Sequence, residues 1–349
     1  MAASAFSNSI KRSDIIHRLP PLPTIRDLIR LYKLRALKQL SQNFLMDERL
    51  TDKIVKAAGN IENKYVIEVG PGPGSITRSI LRRRPNHLVV VEKDRRFIPT
   101  LQLLKESTFN VIELDIIRDD ILKYNCENAF PTCKPKDWLD SPSTHIIGNL
   151  PFAISTRLLI NWLKDMSLKR GAWIYGRTSL TLTFQLEVAQ RIVAEIGSDQ
   201  RCRLSLMSQF WAKPELKFII PGSAFVPKPE VDVGVVTLNP LKLPSTDLPF
   251  DLVEKVMRYI FSMRQKYVRR GIQNLFPPKI RDDLTKRIFY EADIDSQSRS
   301  FQLSNEECLR LAQVYYNIIQ EHPVIDSYNY RGPKEEREVW DDWDLNSMQ

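Results

Sequence analysis

Four groups of residues in this chain have the types and spacing to do chemistry together. The first is Glu68-Val-Gly-Pro-Gly-Pro-Gly74, where three glycines alternate with other residues. It follows the apolar run Tyr65-Val66-Ile67 and precedes a helix-like stretch from Ser75 to Arg84. Such a turn brings backbone close to a ligand, and the helix N-terminus beyond it favours phosphate or carboxylate groups. The second group is Glu92, which ends Leu88-Val-Val-Val91, 18 residues after Gly74. An acid there can accept both ribose hydroxyls of an adenosine. The third is Asp115, read as ending the next apolar run in "ELDI". It can meet the exocyclic amine of adenine, or simply cap a helix. The fourth is Gly148-Asn149-Leu150-Pro151-Phe152, after the apolar pair Ile146-Ile147.

The glycine spacing leaves NAD and S-adenosylmethionine both open. Ser75 falls where the third small residue of the dinucleotide fingerprint would stand. The fourth group separates the two. The Asn149 side-chain oxygen and the Leu150 carbonyl can each accept an N–H from a base amine, and Phe152 can stack on the ring. Hydride transfer needs none of these groups. An adenine amine is a poor nucleophile because its lone pair is delocalised into the ring. Two fixed acceptors favour a pyramidal nitrogen whose lone pair points at a methyl sulfonium. The methylated nitrogen is acidic enough that no dedicated base is required, and no metal is expected. Catalysis is then mainly positioning and electrostatics.

These groups need strands and helices to carry them. From Thr24 to about Leu238 short apolar runs alternate with helical stretches, which predicts a mostly parallel, doubly wound α/β sheet. Val66-Ile67, Leu88 to Val91, Val111-Ile112 and Ile146-Ile147 read as buried strands. Ala224 to Val226 and Val233 to Leu238 read as antiparallel strands on one edge. Thr24 and Asp27 have the spacing of a capping pair for a basic, amphipathic helix. Leu241 to Pro249 reads as a linker, and Phe250 to Ile319 shows only helical periodicity. The expected division is a leader over 1–23, a methyltransferase domain over 24–240, a helical domain over 241–330 and an acidic, solvated tail over 331–349.

A length of 349 residues suits about two domains. The net charge of +9 favours an anionic partner, most simply nucleic acid. Cys126, Cys133, Cys202 and Cys308 form no C-x-x-C pair and are too few for a disulfide framework, which suits a reducing compartment. No uninterrupted apolar run reaches bilayer-spanning length, so no membrane role is expected. Met1 to Leu19 carries four serines and three basic residues against one acid, the composition of a transit peptide or of a solvated tail.

With these residues in place, the chain resembles the rRNA adenine N6-dimethyltransferase family from about Ala36 to Gln313. The motifs run in order: "LSQNFL" (Leu40 to Leu45), "EVGPGPG" (Glu68 to Gly74), "VVEKD" (Val90 to Asp94), "GNLPF" (Gly148 to Phe152) and "FVPKPEVD" (Phe225 to Asp232). The leader most resembles the mitochondrial branch. The resemblance implies a Rossmann-like, seven-stranded methyltransferase sheet with a small C-terminal helical domain. It implies that Gln42, Asn43 and Leu45 close over S-adenosylmethionine and that Gly70 and Gly72 pass beneath its methionine part. Glu92 and Lys93 would meet the ribose side, Asp115 and Ile116 the adenine. Asn149, Leu150, Pro151 and Phe152 would hold the target base, with Asn149 also beside the cofactor.

The implied reaction is dimethylation of two adjacent adenosines in a hairpin loop near the 3′ end of mitochondrial small-subunit rRNA. It would occur in the matrix, on the assembling subunit, by a monomer. Gly is more usual than Ser75 in this branch, so the methionine pocket is the place to look for a departure. Arg264, Lys266, Arg269 and Arg270 cluster around Tyr267, and on a helix they would make a basic RNA-binding patch. The competing reading is a non-catalytic transcription or ribosome-assembly factor that uses the same cleft only to bind nucleic acid. A small-molecule methyltransferase would leave the charge and the helical domain without a purpose.

Overall fold

The apolar runs form the centre of a seven-stranded sheet. In this computed structural model, which describes residues 19–31, 33, 42–109 and 111–340, the strands in chain order are β1 (Phe44–Leu45), β2 (Tyr65–Val69), β3 (His87–Val91), β4 (Glu113–Ile117), β5 (Thr144–Gly148), β6 (Ser179–Gln185), β7 (Ala212–Ile220), β8 (Phe225–Val226) and β9 (Val233–Pro240). The large sheet has the order β4-β3-β2-β5-β6-β9-β7. β2 to β6 pair in parallel, and β9 lies antiparallel to β6. Every residue of β3 and β5 is buried, as parallel strands covered on both faces must be.

The helices are α1 (Ile25–Leu31), α2 (Glu48–Ala57), α3 (Ser75–Leu81), α4 (Ile98–Ser107), α5 (Phe152–Ser167), α6 (Leu186–Val193), α7 (Arg203–Trp211), α8 (Phe250–Ile260), α9 (Arg269–Ile272), α10 (Arg281–Ala292), α11 (Asn305–Glu321) and α12 (Lys334–Glu338). The Thr24–Asp27 pair caps α1 reciprocally: the Thr24 amide donates to Asp27 Oδ2 at 2.9 Å, and the Asp27 amide donates to Thr24 Oγ1 at 3.2 Å. Helix α2 packs on α3, where the Thr51 and Ser79 hydroxyls share a hydrogen bond at 2.8 Å.

The chain falls into two units. One gathers the described residues up to Ala189 together with Lys213–Lys242; the other takes Gln190–Ala212 and those from Leu243 onward. Residues 190–212, read from sequence as part of the sheet domain, thus belong with the helices. Trp211 of α7 packs its ring 4.7 Å from that of Phe250 at the start of α8, which holds the segment there.

Three other expectations shift. Val111 and Ile112 precede β4, which begins only at Glu113. Phe225–Val226 is not an edge strand of the large sheet but pairs antiparallel with Phe44–Leu45, while β7 takes the edge. Beyond Tyr330 the chain forms α12, and Trp340 packs edge-on against Tyr328 at 5.5 Å. The transit-peptide reading over 1–18, Leu34 and Leu37 of the expected basic helix, and the acidic residues 341–344 lie outside the described residues.

Candidate active site

In a parallel sheet the ligand edge is where the strands end, and the chemically suited residues gather there. Gly70 follows β2, Glu92 follows β3 and Asn149 follows β5. Gly70, Gly72 and Gly74 all have positive φ (64°, 53° and 83°), which side chains resist. At Gly72 a methyl group would also lie 2.7 Å from the Phe44 ring. Gly148 is needed for a different reason: its missing Cβ would sit 2.9 Å from the Val69 carbonyl.

Glu92 is buried and held from two sides. Its Oε2 accepts from the Gly72 amide at 3.0 Å and its Oε1 from the Asp94 amide at 2.7 Å. Burial raises its pKa against those two hydrogen bonds. Glu68, in β2, is fully buried, and burial pushes its carboxyl up to about 8. The neighbouring Thr77 hydroxyl pulls the other way, and the Glu92 charge adds to the rise. Thr77 is thus the neighbour that meets the Glu68 carboxyl, though outside ideal hydrogen-bond geometry, and Ser75 Oγ is buried beside the same turn. Buried polar atoms so sparsely satisfied around one glycine turn are costly unless a polar ligand meets them.

The first and last strands of the small sheet bring two distant motifs together. Phe44 pairs with Val226 and Leu45 with Phe225. Gln42, Asn43 and Phe44 then line a cavity of about 180 Å³ with Gly70, Asn149, Leu150, Pro151, Phe152 and Ala153. Leu45 does not join them; it is buried in the hydrophobic core beside Ile54 and Val66. Phe44, which sequence reasoning passed over, occupies the covering position, its ring edge-on to Phe97 at 5.3 Å.

Asn149 is anchored at both ends of its amide. Nδ2 donates to the Asn43 carbonyl at 2.9 Å, and Oδ1 accepts from Thr183 Oγ1 at 2.6 Å. The Leu150 side chain is buried, so that residue can meet a ligand only through its backbone. Pro151 caps α5, and Phe152 opens it half-buried against the core.

The adenine-side residues are not where the sequence put them. Asp115 and Ile116 lie inside β4, not at its end, because the strand runs on to Ile117. The Asp115 carboxylate is taken up by His87 Nε2 at 2.9 Å and Lys105 Nζ at 3.2 Å, and His87 opens β3. Asp120, just past β4, is the acid near the strand ends: it accepts from Lys93 Nζ at 2.8 Å and from the Leu122 amide at 3.1 Å. The lysine hydrogen bond, with that amide, holds the Asp120 pKa below its ordinary value and raises that of Lys93. The signal for Asp120 was present in "RDDI", but two acids follow β4 closely and the apolar run gave the wrong strand end. His87, Glu113 and Asp115 also stand close enough to suggest a metal. The two ring nitrogens face different carboxylates, and Lys105 already holds one of them.

In the helical unit the basic cluster is divided. Residues 261–265 form turns rather than a helix, and α9 begins only at Arg269. Arg264 is spent on structure: it donates to the Ser198 and Asp199 carbonyls and lies over the Phe301 ring. Arg269 and Arg270 instead line a cleft of about 440 Å³ with Tyr267, Gln273, Asp282, Ser296 and Gln297. Tyr267 is exposed there and Lys266 stands exposed beside it.

A sheet of this order with a glycine turn, a buried acid just past β3 and an Asn-Leu-Pro-Phe strand end defines a methyltransferase that acts on a base. The chain matches the model of the ribosomal RNA adenine dimethylase family over residues 33–315, and it belongs to that family. It is therefore an S-adenosylmethionine-dependent rRNA adenine dimethyltransferase. It is 61% identical over 319 residues to a mitochondrial dimethyladenosine transferase 1 of Drosophila pseudoobscura pseudoobscura, covering 91% of this chain and 93% of the relative. The human protein of the same name is 52% identical over 315 residues, covering 90% of each. The fold is similar to that of a dimethyladenosine transferase from Plasmodium falciparum, with a TM-score of 0.62, 21% identity and coverage of 78% of this chain and 98% of that one. It is also similar to that of the 23S rRNA methyltransferase ErmE, with a TM-score of 0.54, 20% identity and coverage of 78% and 99%.

Proposed function

We propose that this chain dimethylates two adjacent adenosines in a hairpin loop near the 3′ end of mitochondrial small-subunit rRNA. It works as a monomer in the matrix while that subunit assembles. The observation that carries this reading is the cavity on which Gln42 to Phe44, Gly70 and Asn149 to Phe152 converge. The relatives named mitochondrial and the serine-rich basic leader support the compartment.

When bound, S-adenosylmethionine supplies a methyl group already activated on a sulfonium. The chain's residues have the rest of the work. Gly70 and Gly72 let backbone approach the cofactor, with Gln42, Asn43 and Phe44 above it. The sparsely satisfied polar atoms of Glu68, Ser75 and Thr77 suit its charged amino-acid end. Ser75 is then a polar contact in that pocket rather than an obstruction. Glu92 is held to accept ribose hydroxyls, with Lys93 beside it. Asp120 takes the adenine-side role that sequence alone assigned to Asp115. Asn149 Oδ1 and the Leu150 carbonyl accept the two N6 protons of the target adenine, and Phe152 stacks on its ring. Loop adenines are partly unstacked already, so turning one into the cavity costs little. Arg269, Arg270 and Tyr267 provide charge and a stacking face for the RNA.

The test is to incubate the purified protein with labelled S-adenosylmethionine and the rRNA hairpin and to analyse the nucleosides. Dimethyladenosine is expected at both neighbouring positions. Its absence from the hairpin and from an assembled small subunit would overturn the reading.

A further inference from the structure

We infer that Thr183 is a positioning residue for methyl transfer, acting through Asn149. The inference rests on the reading of Asn149 as the acceptor for the target amine. Thr183 lies in the middle of β6 and is fully buried. In the parallel pairing of β5 with β6, Gly148 at the end of β5 stands opposite Leu182, so the residue just past β5, Asn149, comes beside Thr183 of β6. Thr183 Oγ1 is thereby brought 2.6 Å from Asn149 Oδ1.

A side-chain amide has two ends of nearly equal shape, and function requires that its oxygen face the substrate. The Asn43 carbonyl can only accept, so the amide end 2.9 Å from it must be the NH2. The other end is then the oxygen, and the Thr183 hydroxyl must donate to it. The Asn43 carbonyl alone thus sets which end is the oxygen, and the Thr183 hydroxyl, donating to that oxygen, holds it in place. Oδ1 keeps a second lone pair for an N6 proton. A hydroxyl serving only the fold could have bonded a carbonyl of its own strand or its neighbour. Here it bonds the one side chain that the reaction requires to be oriented.

The constraint bears most on the second methyl transfer. An unmodified amine offers two N–H bonds, and losing one acceptor leaves the other in place. A monomethylated amine offers one N–H, and with Asn149 mis-set only the Leu150 carbonyl is left to orient it. In each transfer the carbon–sulfur bond breaks, the nitrogen–carbon bond forms, and the displaced N6 proton goes to solvent. Thr183 exchanges no atom in either.

The experiment compares Thr183→Val, Thr183→Ser and Asn149→Ala in the full chain. Thr183→Val keeps the shape of the side chain and removes the hydroxyl. It is expected to lower kcat roughly tenfold, the kinetic equivalent of one hydrogen bond. KM for S-adenosylmethionine and hairpin Kd measured without cofactor should stay unchanged. Monomethyladenosine should accumulate over dimethyladenosine. Thr183→Ser restores both kcat and the product ratio. Thr183→Val should have no further effect on the residual rate of Asn149→Ala. Wild-type kcat and product ratio in Thr183→Val would overturn the inference while leaving the site reading intact. So would equal losses in Thr183→Val and Thr183→Ser, which mean packing rather than the hydroxyl. Full activity of Asn149→Ala would instead overturn the site reading itself. Should Thr183→Val fail to fold, Thr183→Ser decides: a product ratio shifted from wild type counts against the hydroxyl as the operative group.

Discussion

The strand-end cavity of the first unit and the arginine–tyrosine cleft of the second are built on opposite plans. The cavity draws residues from across the sequence: Asn43 meets Asn149, 106 positions away, and Thr183 meets it from another strand. Its polar side chains are half-buried, and Asn149 is fixed at both ends of its amide. The cleft comes mostly from one local stretch, and its charges are exposed. The first works by geometry, since buried groups in a poor dielectric are strong and direction-dependent. The second works by charge, which water screens and small movements hardly alter. Damage to the cavity should therefore abolish chemistry without loosening RNA, and damage to the cleft should do the reverse.

Asn149→Ala tests the largest expected difference. Its kcat should fall by two to three orders of magnitude, the usual loss when a preorganised transition-state partner is removed. Binding of the hairpin, followed by fluorescence anisotropy, should change little. Normal cell function of this variant would favour the nucleic-acid-binding reading over the enzymatic one.

Glu68→Gln tests the buried carboxyl of β2 beside the glycine turn. The folded carboxyl is raised from its ordinary 4.5 to about 8, so the folded state holds a proton that the unfolded chain releases. Its contribution is fully present below pH 4.5 and is lost as pH rises through about 8. Stability of the unliganded protein should fall across that window by an amount on the order of a few kcal/mol. Denaturant melts of Glu68→Gln should lack that component of the slope. Identical pH slopes for the two proteins would place Glu68 in a better environment than its geometry indicates.

The cleft is tested by reversing Arg269 and Arg270 to Glu. Hairpin affinity should weaken by about tenfold, and the plot of log affinity against log salt should flatten by about two. Cofactor affinity should not move. Unchanged binding at several salt concentrations would remove the cleft from the RNA path. Arg264→Glu is a poor substitute, because that side chain anchors the Ser198–Asp199 backbone.

The smallest effect sharpens the adenine side of the cavity. Asp120→Asn should weaken cofactor binding several-fold, about the worth of one charge-assisted hydrogen bond. Asp115→Asn should leave it unchanged, since its partners are His87 and Lys105. Calorimetric titration of both variants distinguishes the two acids, and the opposite ranking would return the role to Asp115.

Sequence alone determined whatever depends on local chemistry. Alternating glycines announced a tight turn, valine-rich runs announced buried strands, and Asn149 to Phe152 put an amide, a carbonyl and an aromatic ring side by side. Each property belongs to a few neighbouring residues, so spacing suffices to read it. The tertiary structure decided what depends on where strands stop and on which strands are neighbours. It put β4's end at Ile117, which leaves Asp115 inside the strand and Asp120 just beyond it. By pairing β1 with β8 it sent Leu45 into the core and Phe44 over the glycine turn. By setting β6 beside β5 it gave Asn149 a partner in Thr183. The physical reason is that side chains alternate across a strand, so a small change of strand boundary or register sends a residue to the other face. No local pattern carries that information, because it is settled only when distant strands pair.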